Sequence, residues 1–169
     1  NLFVADRING ANKALSFSGA LTSYATVTTD SYFCASSFTL TGWVRPTGNS
    51  FDGIRAIILD FKDATGENGV QVYGTGTTTE TAISLKIYKD STTPVLAAVS
   101  SVKVTNFVWN YVAISFSSTT LKPTFYKALV TDDALPPGEE YTGTASTFAP
   151  SCTSLTSNFI GKANNREEN

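Results

Sequence analysis

The sequence predicts an all-β fold, two antiparallel sheets packed as a sandwich, and three observations carry the prediction. Apolar and polar residues alternate with period two in several segments. No stretch of a dozen residues places apolar side chains at i, i+3, i+4 and i+7. Turn-forming Gly, Pro and Asn recur between the alternating segments. Sheets about 10 Å apart bury alternate residues, and Thr suits the solvated faces left over, which accounts for the many Thr and Ser.

Taken in chain order, short strands are expected at 15–17 and 25–28. A longer one follows in which Phe38, Leu40, Gly42 and Val44 share one face and Thr39, Thr41, Trp43 and Arg45 the other. Strands are next expected at 57–61 and 70–73. Ile83, Leu85 and Ile87 then alternate with Ser84, Lys86 and Tyr88, ahead of a strand at 95–99. Val112, Ile114 and Phe116 oppose Tyr111, Ala113 and Ser115. Phe125, Lys127 and Leu129 oppose Tyr126, Ala128 and Val130, and 159–161 closes the series. Turns separate these segments at Asn9-Gly10, Ser18-Gly19, 47–50, 63–69, 74–79, 89–94 and 136–138.

A chain of 169 residues holds one full core, so a single domain over 1–169 is expected, with no linker and no internal repeat. The net charge is −2 and Lys and Arg are scattered singly, so no basic stripe is present to neutralise phosphates and nucleic acid is not an expected partner. No apolar stretch approaches the ~20 residues of a membrane-spanning helix. Methionine is absent, position 1 included, which points to a processed chain or an excised part of a longer one.

Catalysis is narrowed by subtraction. With no histidine, Ser-His-Asp and Cys-His arrangements and the commonest zinc ligand are unavailable. No phosphate-binding glycine motif occurs. Ser100-Ser101-Val102-Lys103 has the spacing of a serine acylase motif, but it falls in a strand-and-turn region instead of on a helix, and chance is the better reading.

Four segments in this order carry a resemblance: ALSFSGA at 14–20, SFTLTGWVRP at 37–46, WNYVAISFS at 109–117 and NFIGKANN at 158–165. Together they resemble the laminin G-like domains of the concanavalin A-like lectin/glucanase group. The resemblance implies a jelly-roll sandwich used for recognition and adhesion, and it leaves the ligand unspecified. Glucanases of that group hold paired carboxylates as Glu-x-Asp-x-Glu on one strand face. No Glu-x-Asp occurs here, so no enzyme activity is expected. The expected function is non-catalytic binding of a glycan or extracellular protein by a secreted or surface module. The alternative is a structural subunit that assembles through sheet edges into a surface polymer.

Three further expectations concern sites. Domains of this kind hold calcium at a rim loop, and Asp60, Asp63, Glu67 and Asn68 in DFKDATGENG offer the hard oxygen ligands calcium takes; a solvated acidic turn is the competing reading. For a sugar, Tyr73, Tyr88, Tyr126 and Trp43 lie opposite the apolar side of their strands and are candidate ligand-binding rings, as is Tyr111, while the resemblance implies packing as the competing role for Trp43 and the favoured one for Trp109. Related domains also continue into a further strand where this sequence stops at Arg166-Glu167-Glu168-Asn169, and the segment from Leu2 to Val4 is the internal candidate to replace it.

Cys34 and Cys152 each flank an expected strand in polar context. In a secreted chain an even pair suggests one disulfide, which would close a loop of more than a hundred residues and contribute about 4–5 kcal/mol in the chain-entropy model; in a reducing compartment they would be two thiols. The disulfide predicts that native protein weighs two hydrogens less than its reduced form by mass spectrometry, and two freely alkylated thiols would refute it.

Overall fold

The computed structural model describes residues 3–4, 14–17, 24–28, 37–47, 56–63, 68–88, 94–129, 139–142 and 155–161. Twelve strands are assigned among them: β1 (Phe3–Val4), β2 (Ala14–Leu15), β3 (Ala25–Thr26), β4 (Phe38–Val44), β5 (Ala56–Asp63), β6 (Gly69–Gly76), β7 (Glu80–Tyr88), β8 (Pro94–Thr105), β9 (Asn110–Ser117), β10 (Lys122–Leu129), β11 (Glu139–Thr142) and β12 (Leu155–Ile160). No helix occurs among the described residues.

Two antiparallel sheets make up most of the fold. The smaller has the order β11-β10-β9-β4, and the larger the order β3-β12-β5-β6-β7-β8. Their facing side chains form one hydrophobic core. Phe38, Val112, Ile114, Phe116 and Phe125 come from the smaller sheet, and Phe61, Val70, Val72, Ile83, Leu85, Ile87, Val104 and Leu155 from the larger. This is a sandwich-like all-β architecture, and it follows from alternation. β9 reads buried, half-buried, buried along its whole length, with Val112, Ile114 and Phe116 inward. Phe38 stacks on Phe116 across the β4–β9 pair, ring centroids 5.6 Å apart. Lys127, an inward position on β10, reaches the border of the opposite sheet, where its Nζ donates to the Lys103 carbonyl at 2.6 Å.

Three features depart from the expectation. Phe3 and Val4 pair with Leu15 and Ala14 in a two-stranded sheet of their own, so this segment does not replace a strand in either large sheet. Glu139–Thr142, which the sequence reading leaves out, pairs with β10. And β6 and β7 are buried on both faces over most of their length, although polar residues line their outer side. Polar residue type marks solvent only where the groups lack internal hydrogen-bond partners, and here several have them.

β12 lies between β3 and β5, pairing with both. Its end is set by Gly161, whose φ of +82° belongs to the left-handed region. A Cβ at Gly161 would stand 2.5 Å from the Phe17 ring, so glycine is also required for the close approach of that ring. Tyr24 packs edge-on against Phe159 at 5.2 Å, completing the seam between the early and late parts of the chain.

Leu85 is fully buried at the centre of the core. Leu85→Ala should lower unfolding free energy by about 2–5 kcal/mol, the transfer loss plus the cavity left behind, measurable by denaturant titration. A loss under about 1 kcal/mol would mean that this position is not central to a packed core.

Candidate functional site

The outer face of the four-stranded sheet carries a line of three aromatic rings. Trp43 on β4 is in register with Tyr111 on β9, and Tyr126 lies one row further along on β10, opposite Ala113. The ring centroids are 5.2 Å apart for Trp43–Tyr111 and 6.2 Å for Tyr111–Tyr126, with interplanar angles of 60° and 74°. All three rings are half-buried. The inward partners of these strands fix their direction: because Val112, Phe125 and Val44 face the core, Tyr111, Tyr126 and Trp43 must face away.

Below the rings the same face turns to hydroxyls. Thr41, Thr39, Ser115 and Thr124 occupy the next positions, and a shallow depression of about 340 Å³ opens along β4 and β9, lined by Ser37, Thr39, Ser115 and Ser117 over Phe38 and Phe116. Ser37 is fixed there, since its Oγ accepts from the Ser118 backbone N–H at 3.1 Å. From Trp43 to Thr39 along the strand is roughly 13 Å at ~3.4 Å per residue, so rings and hydroxyls fall within one small oligomeric ligand. Charged groups sit at the margins: Arg45 at the aromatic end and Lys122 at the hydroxyl end.

The other two predicted rings lie elsewhere. Tyr73 and Tyr88 are on the outer side of the six-stranded sheet and are 4% and 5% exposed, so the structure does not bring them together with Trp43 and Tyr126. They belong to a buried polar layer. Asp60, Gln71 and Lys86 occupy one transverse row of β5, β6 and β7. Gln71 Nε2 donates to Asp60 Oδ2 at 3.1 Å, and Tyr88 OH donates to Gln71 Oε1 at 3.1 Å. Lys86 Nζ lies 5.1 Å from the Tyr73 ring centroid and 5.9 Å from that of Tyr88, so two π-faces help compensate a buried cation. All five residues are nearly inaccessible to solvent. A hydrogen-bonded layer of this kind holds three strands to one register and is closed to an arriving ligand.

The proposed calcium ligands divide. Asp60 and Asp63 are an odd number of residues apart on β5 and so fall on opposite faces. Asp60 joins the Gln71–Tyr88 chain. Asp63 instead closes the strand end against Asn68: its Oδ2 accepts from Asn68 Nδ2 at 2.8 Å, and its backbone N–H donates to the Asn68 carbonyl at 3.0 Å. Glu67, Cys34 and Cys152 lie outside the described residues. Among the described residues no group of three or more His, Cys, Asp or Glu side chains converges. Trp109, expected to pack in the core, is half-buried in the turn before β9 and is not part of the core cluster.

Compared with protein-family models and with curated proteins, the sequence matches none.

Tyr88→Phe removes one donor from the buried layer and leaves the Gln71 carbonyl without it. Unfolding free energy should fall by about 1–2 kcal/mol with no change in fold, read by denaturant melts and circular dichroism. Parental stability in the variant would show that this hydrogen bond is not made in solution.

Proposed function

We propose that the chain is a non-catalytic recognition module of a secreted or cell-surface protein, a jelly-roll sandwich similar to laminin G-like domains. Its ligand is a glycan, and it is bound on the outer face of the four-stranded sheet. The observation that carries this reading is the Trp43–Tyr111–Tyr126 ladder, three neighbouring rings on a face whose remaining groups are chiefly hydroxyls. The apolar face of a pyranose stacks on an aromatic ring, and its equatorial hydroxyls exchange hydrogen bonds with Ser and Thr.

Ring geometry narrows the ligand. Angles of 60° and 74° between neighbouring rings do not form a coplanar platform, so the flat surface of a crystalline polysaccharide is a poor fit. A single soluble chain suits the face better, with one sugar on a ring and the next turned towards Thr39 and Ser115. The absence of histidine and of any Glu-x-Asp pair supports binding without turnover. No metal enters this reading.

Titration with neutral oligosaccharides, followed by tryptophan fluorescence and calorimetry, should give saturable binding. Tyr111→Ala should weaken it about tenfold, the loss of one stacking contact worth roughly 1.4 kcal/mol. Leu15→Ser, on the separate two-stranded sheet, should leave affinity unchanged. Failure of every saccharide to bind, or equal affinity in Tyr111→Ala, would sink the assignment.

A further inference from the structure

Four large apolar side chains stand exposed among the described residues, and three of them gather at one end of the sandwich. Phe107 is 54% exposed, Val108 39% and Leu129 44%. Phe107 and Val108 top the turn between β8 and β9. Leu129 ends β10 opposite Asn110, whose Nδ2 donates to the Val108 carbonyl at 2.9 Å.

The turn is held in a conformation that its sequence does not favour. Phe107 has a φ of +65°, which bulky L-residues adopt only when the surroundings impose it. The surroundings do so here. The Phe107 N–H donates to the Pro46 carbonyl at 2.7 Å, and its own carbonyl accepts from Arg45 Nε at 3.0 Å. Asn106 is buried beneath it, donating from its backbone to Thr79 O and from Nδ2 to Thr77 O, and accepting from Thr81 Oγ1 at 2.7 Å. Asn110 Nδ2 secures the far side through the Thr105 carbonyl at 2.8 Å. Asparagine or glycine would occupy position 107 with less strain. A ring with more than half its surface in water also adds little to the core. What phenylalanine supplies here is an immobile, protruding apolar tip.

We propose that this tip inserts into the interfacial region of a lipid bilayer, with Phe107 and Val108 leading and Leu129 beside them. The shape selects the partner. Three exposed side chains at a turn make a small apolar tip among the described residues, and lipid closes around a protrusion without the matching cavity a protein partner would have to supply. The flanking chemistry agrees. Arg45 is anchored at the base of the tip through Nε, a position for its guanidinium to meet headgroup phosphate. Trp109, half-buried in the same turn, is of the residue type that prefers the membrane interface. Among the described residues near the tip, Lys103 pairs with Glu80 at 3.2 Å, and Lys127 Nζ donates to the Lys103 carbonyl. Insertion is driven by apolar contact of the exposed tip, and it stands apart from the glycan assignment.

Co-sedimentation with phosphatidylcholine vesicles tests this, using the parent and Phe107→Asn, which suits the left-handed conformation. The parent should partition onto vesicles in both low and high salt. Phe107→Asn should melt no lower than the parent while its partitioning falls about tenfold, the worth of one apolar side chain left in water. A parent that does not partition, or a variant that partitions equally, would overturn the proposal. So would concentration-dependent self-association that Phe107→Asn abolishes, because the tip would then dock on a second copy of the chain.

Discussion

The interlock of Ile114, Phe116 and Phe125 with Val70, Val72, Leu85 and Ile87 is the contact on which the other features depend. Because side chains alternate strictly along a strand, seating these residues inward decides what every neighbouring position shows to the outside. A slip of one residue in β9 would bury Tyr111 and Ser115 and expose Val112, Ile114 and Phe116, exchanging a full core for polar groups. The aromatic face is thus positioned by the core behind it. Tyr111 can meet Trp43 at 5.2 Å because Val112 and Val44 are held one residue away on the other side.

The two sheets use polar groups differently. In the smaller one, polar side chains are left on the outside, where hydroxyls remain available around half-buried rings. In the larger one, Asp60, Gln71 and Tyr88 are linked by hydrogen bonds under burial beside Lys86, and the same residue types become a device that holds three strands together. Burial distinguishes the two layers, and it decides which tyrosines can meet a ligand.

Period-two alternation made most of the long strands legible, since Val112/Ile114/Phe116 and Ile83/Leu85/Ile87 each repeat an apolar side chain at every second position. β11 escaped notice because Glu139-Glu140-Tyr141-Thr142 has no apolar alternation and follows the sequence Pro136-Pro137-Gly138; its pairing with β10 is a tertiary fact. The outward direction of Trp43, Tyr111 and Tyr126 could be read from the strand pattern. That Tyr73 and Tyr88 share this direction on their own strands and are nevertheless buried could not, because alternation tells which side a residue takes and nothing about what covers that side. In the acidic segment at 60–68, closeness in sequence places Asp60 and Asp63 together, and strand geometry separates them. The Phe107 turn left one trace, Asn106 and Asn110 bracketing three apolar residues, but the strained backbone between them carries no signature in residue type.

The position of β12 has a consequence for how the molecule comes into being on a ribosome. β12 is inserted between β3 and β5, so the gap it fills stays open until residues 155–160 have emerged, about a hundred residues after β5. β5 through β8 can zip together as successive antiparallel neighbours while synthesis continues. β3 must wait, its paired edge unavailable, and the Phe17 ring waits with it for Gly161. The nascent chain therefore carries an unfilled slot from the emergence of β5 to that of β12, and closure of the larger sheet is a long-range event of the kind that slows β-rich proteins and leaves them open to capture by chaperones or by each other.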